Sequence, residues 1–199
     1  GRGVVAHQEI DSGPGGDLGY ADPTEANRRT IRSFVNAAAR LPGWADLVRA
    51  EGLLPEHRFT VHGHEGRDGN VHPVAEIGRM MASAGWGWHD KPVGDGYGHV
   101  VHAWAAVGRP LIGHSRYYRA HAGEGRLDKL AAPFWEHGVT CVDLDEVDLD
   151  GAVRMIREIG ADLARHAEMC LAIRARFDEC VDYDRDEERV RSLLGIGRG

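Results

Sequence analysis

The residues with chemistry to offer crowd into one stretch, Gly85 to Ile112, which reads GWGWHDKPVGDGYGHVVHAWAAVGRPLI. Gly94, Gly96 and Gly98 recur at every second position and keep side chains away from a turn. His99 to Val107 follow with helical spacing, Val100, Val101, Trp104 and Val107 falling on one face. The first N–H groups of a helix lack intrahelical partners, and the helix dipole adds partial positive charge there. Glycines before such an end let an anion approach the backbone, so strand, glycine loop and helix together read as a phosphate site. Gly96, Tyr97, Gly98 and His99 are the residues expected to hold the anion. A tight turn with no ligand is the other reading of the same spacing.

Histidines gather around this stretch: His62, His64, His72, His89, His99, His102 and His114. His62 and His64 on a strand end, and His99 and His102 one helical turn apart, have zinc-like spacing, but no ligand set is complete and no metal site is expected. Hydrogen bonding to a ligand suits these imidazoles better, His64 and His89 in particular. The acidic run Asp143, Asp145, Glu146, Asp148 and Asp150 reads as a solvated helix start with capping aspartates rather than a cation site. Trp86, Trp88, Trp104 and Trp135 sit in apolar, periodic segments and are expected in the core.

The elements that must position these groups alternate. Strands are expected at Ile31–Asn36, Arg58–His62, GWGW from Gly85, Pro110–Ile112 and Val139–Leu144. Helices are expected at Trp44–Leu53, Pro73–Ala84, His99–Val107, from Leu127 to His137, from Asp150 to Cys180 with a break at Gly160, and over Asp184–Leu194. This alternation predicts an α/β fold, a doubly wound parallel sheet with extra C-terminal helices. Right-handed crossovers then bring the loops 36–43, 63–72, 91–98 and 113–119 to one sheet edge, where such sheets bind ligands. Before Ile31, Val4–Ala6 reads as a strand and residues 13–23 as a flexible glycine- and proline-rich linker.

Composition narrows the classes. At 199 residues, 42% hydrophobic and 28% charged, the chain is long enough for a substantial core. A formal charge of −7 without a basic tract argues against nucleic-acid binding. No apolar run approaches the ~20 residues a membrane span needs. Three widely spaced cysteines, Cys141, Cys170 and Cys180, form neither a disulfide framework nor a zinc signature, which fits a reducing cytoplasm.

The order of pieces resembles the donor-site signature of GT-B glycosyltransferases of the glycogen-synthase-like type. Asp95-Gly96-Tyr97-Gly98, four residues, then Ala103-Trp104-Ala105-Ala106-Val107-Gly108-Arg109-Pro110-Leu111-Ile112 is similar to that family's E-G-F-G, four residues, E-A-M-A-x-G-x-P-V-I. VHGHEG upstream, LAAPFWEHGVTCVDLD downstream and the final RFDECVDYDRDEERVRSLL resemble its neighbouring segments. The likeness covers about residues 31–194. It implies a Rossmann-like, nucleotide-sugar-binding domain over 31–199, with residues 1–30 as the last strand and linker of a missing N-terminal, acceptor-binding domain. It further implies a glycosyltransferase with no cofactor beyond its sugar-nucleotide donor. Asp95 would touch the sugar, Lys91 would neutralise the leaving diphosphate, and His64, His89 and His102 would join Gly96 to His99 in binding the donor.

Two departures stand out. The family's second glutamate, a ribose ligand there, falls on Ala103, with His99 and His102 nearby. The basic pair that grips the diphosphate has no clear counterpart, leaving Lys91, Arg67 and Arg116 as candidates. A non-catalytic GT-B-like binding or scaffold domain is therefore the second reading. A Rossmann-type dehydrogenase fits less well, because its glycine fingerprint should follow the first strand, and that strand runs into Asn36-Ala37-Ala38-Ala39.

Overall fold

The computed structural model describes residues 11, 16–91, 98–120 and 130–196. Its centre is a five-stranded sheet of β1 (Thr30–Phe34), β2 (Arg58–His62), β3 (Trp86–Trp88), β4 (Leu111–Gly113) and β5 (Cys141–Asp143). Every pairing is parallel, in the spatial order β2-β1-β3-β4-β5. The three inner and outer strands β3, β4 and β5 are buried at every residue, which is why they read as short apolar runs rather than alternating ones.

The helices are α1 (Trp44–Leu53), α2 (Val74–Ala82), α3 (His99–Ala106), α4 (Arg116–Arg119), α5 (Leu149–Ala161), α6 (Leu163–Cys180) and α7 (Tyr183–Leu194). α1 and α5 close one face of the sheet through Leu47, Ala50, Val153 and Ile156, which pack with Ile31, Val61, Trp86, Trp88 and Ile112. α2, α3 and α6 cover the other through Met81, Val101, Trp104, Ile173 and Phe177. The doubly wound arrangement is thus observed, and all four expected core tryptophans are buried. Gly87 is needed where it stands, since a Cβ there would fall 2.5 Å from the Trp104 ring.

Several boundaries differ from the sequence expectation. The break near Gly160 falls at Asp162, whose carboxylate accepts from Arg165 N at 3.1 Å and starts α6. Asp148 and Asp182 cap α5 and α7 in the same way. No continuous helix runs to His137: the described part, 130–137, holds turns and the one-turn 3-10 helix Ala132–Phe134, fastened by the Thr140 hydroxyl donating to Phe134 O at 2.8 Å. Asp143 is not solvated either. It is fully buried and accepts from the backbone and hydroxyl of Ser115.

Residues 16–22, which read as linker, pack on the domain. Leu18 is 5% exposed and joins the α2–α3 core. The buried Arg109 guanidinium holds this segment, donating to Ala21 O at 2.7 Å while also donating to Ala82 O and Ala84 O at 2.5 and 2.6 Å. A buried cation surrounded by carbonyl oxygens is satisfied without a carboxylate partner. The expected strand at 4–6 lies outside the described residues.

Candidate functional site

In a parallel sheet every strand delivers its following loop to the same edge, and a ligand crevice opens where the strand order reverses. Here the reversal lies between β1 and β3, because the chain leaves β1 toward β2 and returns across it to β3. A cleft of about 290 Å3 opens beside this point. Phe34 and Asn36 at the end of β1 form one wall, with Gly63 after β2. Val74, Ile77 and Met81 of α2 form the second, and His99, Val100 and Ala103 of α3 form the third. Leu18 adds an apolar contact from the N-terminal segment, and Asn70 and His72 bring polar groups from the loop before α2. The cleft is therefore apolar-walled with a few polar side chains, the usual make-up of a small-molecule site.

The loops around it are tied to one another. Ala37 N donates to His64 O at 2.6 Å, and His64 N donates to Asn36 Oδ1 at 2.8 Å, so the turns after β1 and β2 move as one body. Ala37 has a φ of 53° and Glu65 one of 60°, left-handed conformations that cost non-glycine residues energy and that these crossed hydrogen bonds hold in place. Asp68 accepts from Val61 N at 2.7 Å and closes the glycine-rich turn between them.

The candidate residues separate into distinct environments. Asp95, Gly96 and Tyr97 lie outside the described residues. Gly98 is the N-cap of α3, with a φ of 74°, and is buried; a Cβ there would lie 3.1 Å from that of Ala131. His99, the first residue of α3, is exposed and lines the cleft. The first residues of α3, His99 and Val100, thus stand in the cleft wall. His102 is fully buried instead, its Nδ1 3.0 Å from Gly98 O and its ring edge-on to Phe134. His89 is also fully buried, with Nε2 3.0 Å from the Tyr118 hydroxyl. His64 has 73% of its side chain exposed beside Glu65 and does not line the cleft. Lys91 follows β3 at the same sheet edge and is half-buried. Of the two arginines considered for the diphosphate, Arg67 is held by Glu51 at 2.5 and 2.8 Å and Arg116 pairs with Asp145 at 3.4 Å.

A pair that sequence reasoning did not join lies at the same edge. Asp90, just after β3, is 5% exposed, and its Oδ1 accepts from His114 Nδ1 at 2.7 Å. His114 follows β4. The hydrogen bond to Asp90 and that residue's charge hold the imidazole pKa above its usual value, with Asp145 and Asp46 adding to the effect. Histidine-rich spacing signalled this region; the sequence separation of 24 positions hid the pairing. Among the described residues no group of three or more His, Cys, Asp or Glu side chains is placed to hold a metal ion. Among them, too, no helix is long and apolar enough to cross a membrane.

No family model and no curated protein matches this sequence. Solved structures do match its fold. HepE of Anabaena, solved with UDP and glucose, superposes with a TM-score of 0.61 at 17% identity, over 86% of this chain and 49% of HepE. An alpha-glucosyltransferase solved with UDP and DNA gives 0.67 at 12% identity, over 88% and 54%. The pneumococcal O-GlcNAc transferase GtfA, solved with UDP and GlcNAc, gives 0.60 at 14% identity, over 88% and 37%. The chain spans about half the length of HepE and of the alpha-glucosyltransferase, so what it shares with them is the fold of one part. The chain therefore has the Rossmann-like α/β fold that one part of each of these glycosyltransferases also has.

Proposed function

We propose that this chain binds a nucleotide-diphosphate sugar and, joined to an acceptor-binding domain, transfers the sugar to an acceptor. The observation that carries this reading is the cleft beside the β1–β3 reversal, with the first turn of α3 in its wall. The structural neighbours solved with UDP or a UDP-sugar share this fold, which supports a nucleotide-sugar ligand. In the proposed complex the diphosphate lies at the amino end of α3, on the amides from Gly96 to His99, and the nucleoside fills the apolar cleft. Asp95 orients the sugar, and Lys91 offsets charge on the departing diphosphate. When the C1–O bond breaks, its electron pair goes to the diphosphate oxygen, and donors already aimed there lower the barrier without a metal.

Calorimetric titration with UDP-glucose and with GDP-mannose tests this. Micromolar binding that is lost in Asp95→Ala or Lys91→Ala is the expected result. One observation favours a second reading, a GT-B-like domain that binds or scaffolds without catalysis: an apolar alanine, Ala103, stands in the cleft wall where the resembled family places a carboxylate. Absence of binding to either donor by the folded chain would favour that reading and remove the first.

A further inference from the structure

The pair formed by Asp90 and His114 has no part in the donor contacts described so far. Asp90 is buried at the carboxyl end of the central strand β3, so its charge needs a partner, and the partner found is the imidazole that follows the neighbouring strand β4. Its position is constrained from behind. Gly43, at the start of α1, leaves room for the Asp90 carboxylate, which a Cβ at that position would overlap. The other carboxylate oxygen, Oδ2, is buried without a partner, and Asp90 lines a cavity of about 10 Å3 with Ser33, Val35 and Trp88, room for about one water molecule. Gly113 has a φ of 154°, and a Cβ on it would overlap the His89 carbonyl, so β4 approaches β3 closely enough for the pair to meet.

Resting on the donor-binding reading, we propose that Asp90 and His114 form an anion subsite at the carboxyl ends of β3 and β4. His114 donates from Nε2 to a phosphate oxygen of the donor, and Asp90 positions the ring through Nδ1–H. Orientation favours it: Nδ1 is committed to a buried carboxylate, while the His114 side chain keeps 24% of its surface exposed at the ligand edge. The start of α3 and the end of β3 approach one another across Tyr118: a Cβ on Gly98 would lie 3.5 Å from its ring, and its hydroxyl lies 3.0 Å from His89 Nε2. Among the described residues, Arg40, Arg67, Arg116 and Arg119 are each paired to a carboxylate. The charged groups facing His114 are Asp90 after β3, Asp46 from the first turn of α1, and Asp145 after β5, itself paired with Arg116. All three carboxylates favour the cationic ring.

Calorimetric titration with UDP-glucose at about pH 6 and about pH 8.5 tests the subsite, because the diphosphate diester of that probe does not itself titrate between them. The unaltered chain should bind more tightly at the lower pH. His114→Gln should lose about tenfold or more in affinity at the lower pH, the scale of one charge-assisted hydrogen bond, and lose the pH dependence with it. Asp90→Asn should move the midpoint of that dependence to lower pH. Equal binding by His114→Gln and the unaltered chain at about pH 6 overturns the proposal. If the unaltered chain binds no UDP-glucose at either pH, the donor-binding reading fails. Inorganic pyrophosphate then decides the subsite by NMR: a shift of the His114 ring resonance keeps it, and an unmoved resonance removes it.

Discussion

Protonating one buried histidine should unfold this domain from a known direction. His166 of α6 is fully buried; its Nε2 lies 2.9 Å from Gly85 O, just before β3, and its ring lies 5.1 Å from that of Trp86. Nε2 therefore carries the proton, and Nδ1 is buried without a partner. A second proton would place a charge in an apolar setting with Arg109 and Arg28 nearby. Burial accordingly pushes the pKa from 6.5 down to about 4. Below about pH 6.5 the unfolded chain takes up a proton at this ring, and the folded chain does not until about pH 4. Unfolding gains as the pH falls through that window, and above it the contribution vanishes. The loss is about 2 kcal/mol at pH 5 and about 3 kcal/mol at pH 4. Urea titrations at about pH 7.5, 5 and 4 measure it, comparing the unaltered chain with His166→Gln, whose amide can still reach Gly85 O. The variant starts less stable but should lose that much less on acidification, with an unchanged urea slope. Parallel pH dependence in the two proteins would refute the reasoning.

Three further outcomes are expected. Gly87→Ala puts a Cβ 2.5 Å from Trp104 in a strand that cannot move aside, and should cost about 1–3 kcal/mol in a urea melt. Arg109→Met strips donors from the carbonyls of Ala21, Ala82 and Ala84 and should cost at least about 3 kcal/mol, while protease susceptibility rises first around residues 16–22. Ala103→Leu, at the wall of the cleft, should weaken UDP-glucose binding by about tenfold or more while shifting the melting temperature by only a few degrees; unchanged affinity would place the ligand elsewhere.

The order of strands and helices was legible because it rests on local chemistry. RFTVH alternates into an edge strand, WGW is short, apolar and followed by glycines, and aspartates stand where α5, α6 and α7 begin. Parallel winding follows from that order, and with it the edge at which the site must lie. The helix expected up to His137 failed for a nonlocal reason: Thr140, already on its way to β5, supplies the hydroxyl that shapes the preceding turn.

What only the tertiary structure decided is which polar groups meet the crevice. His99 and His102 share a helix and are one turn apart, yet the first is exposed and the second is enclosed. Periodicity anticipates one buried face, whereas α3 is packed between the sheet, α6 and the Ala132–Phe134 turn, so nearly every residue after its first turn is covered. Asp90 and His114 show the converse. Each follows its own strand with nothing local to join them, and they meet because β3 and β4 are sheet neighbours. Local pattern determines elements and their order; the partners of a buried charge depend on which strands lie side by side, a long-range property that no short window of sequence contains.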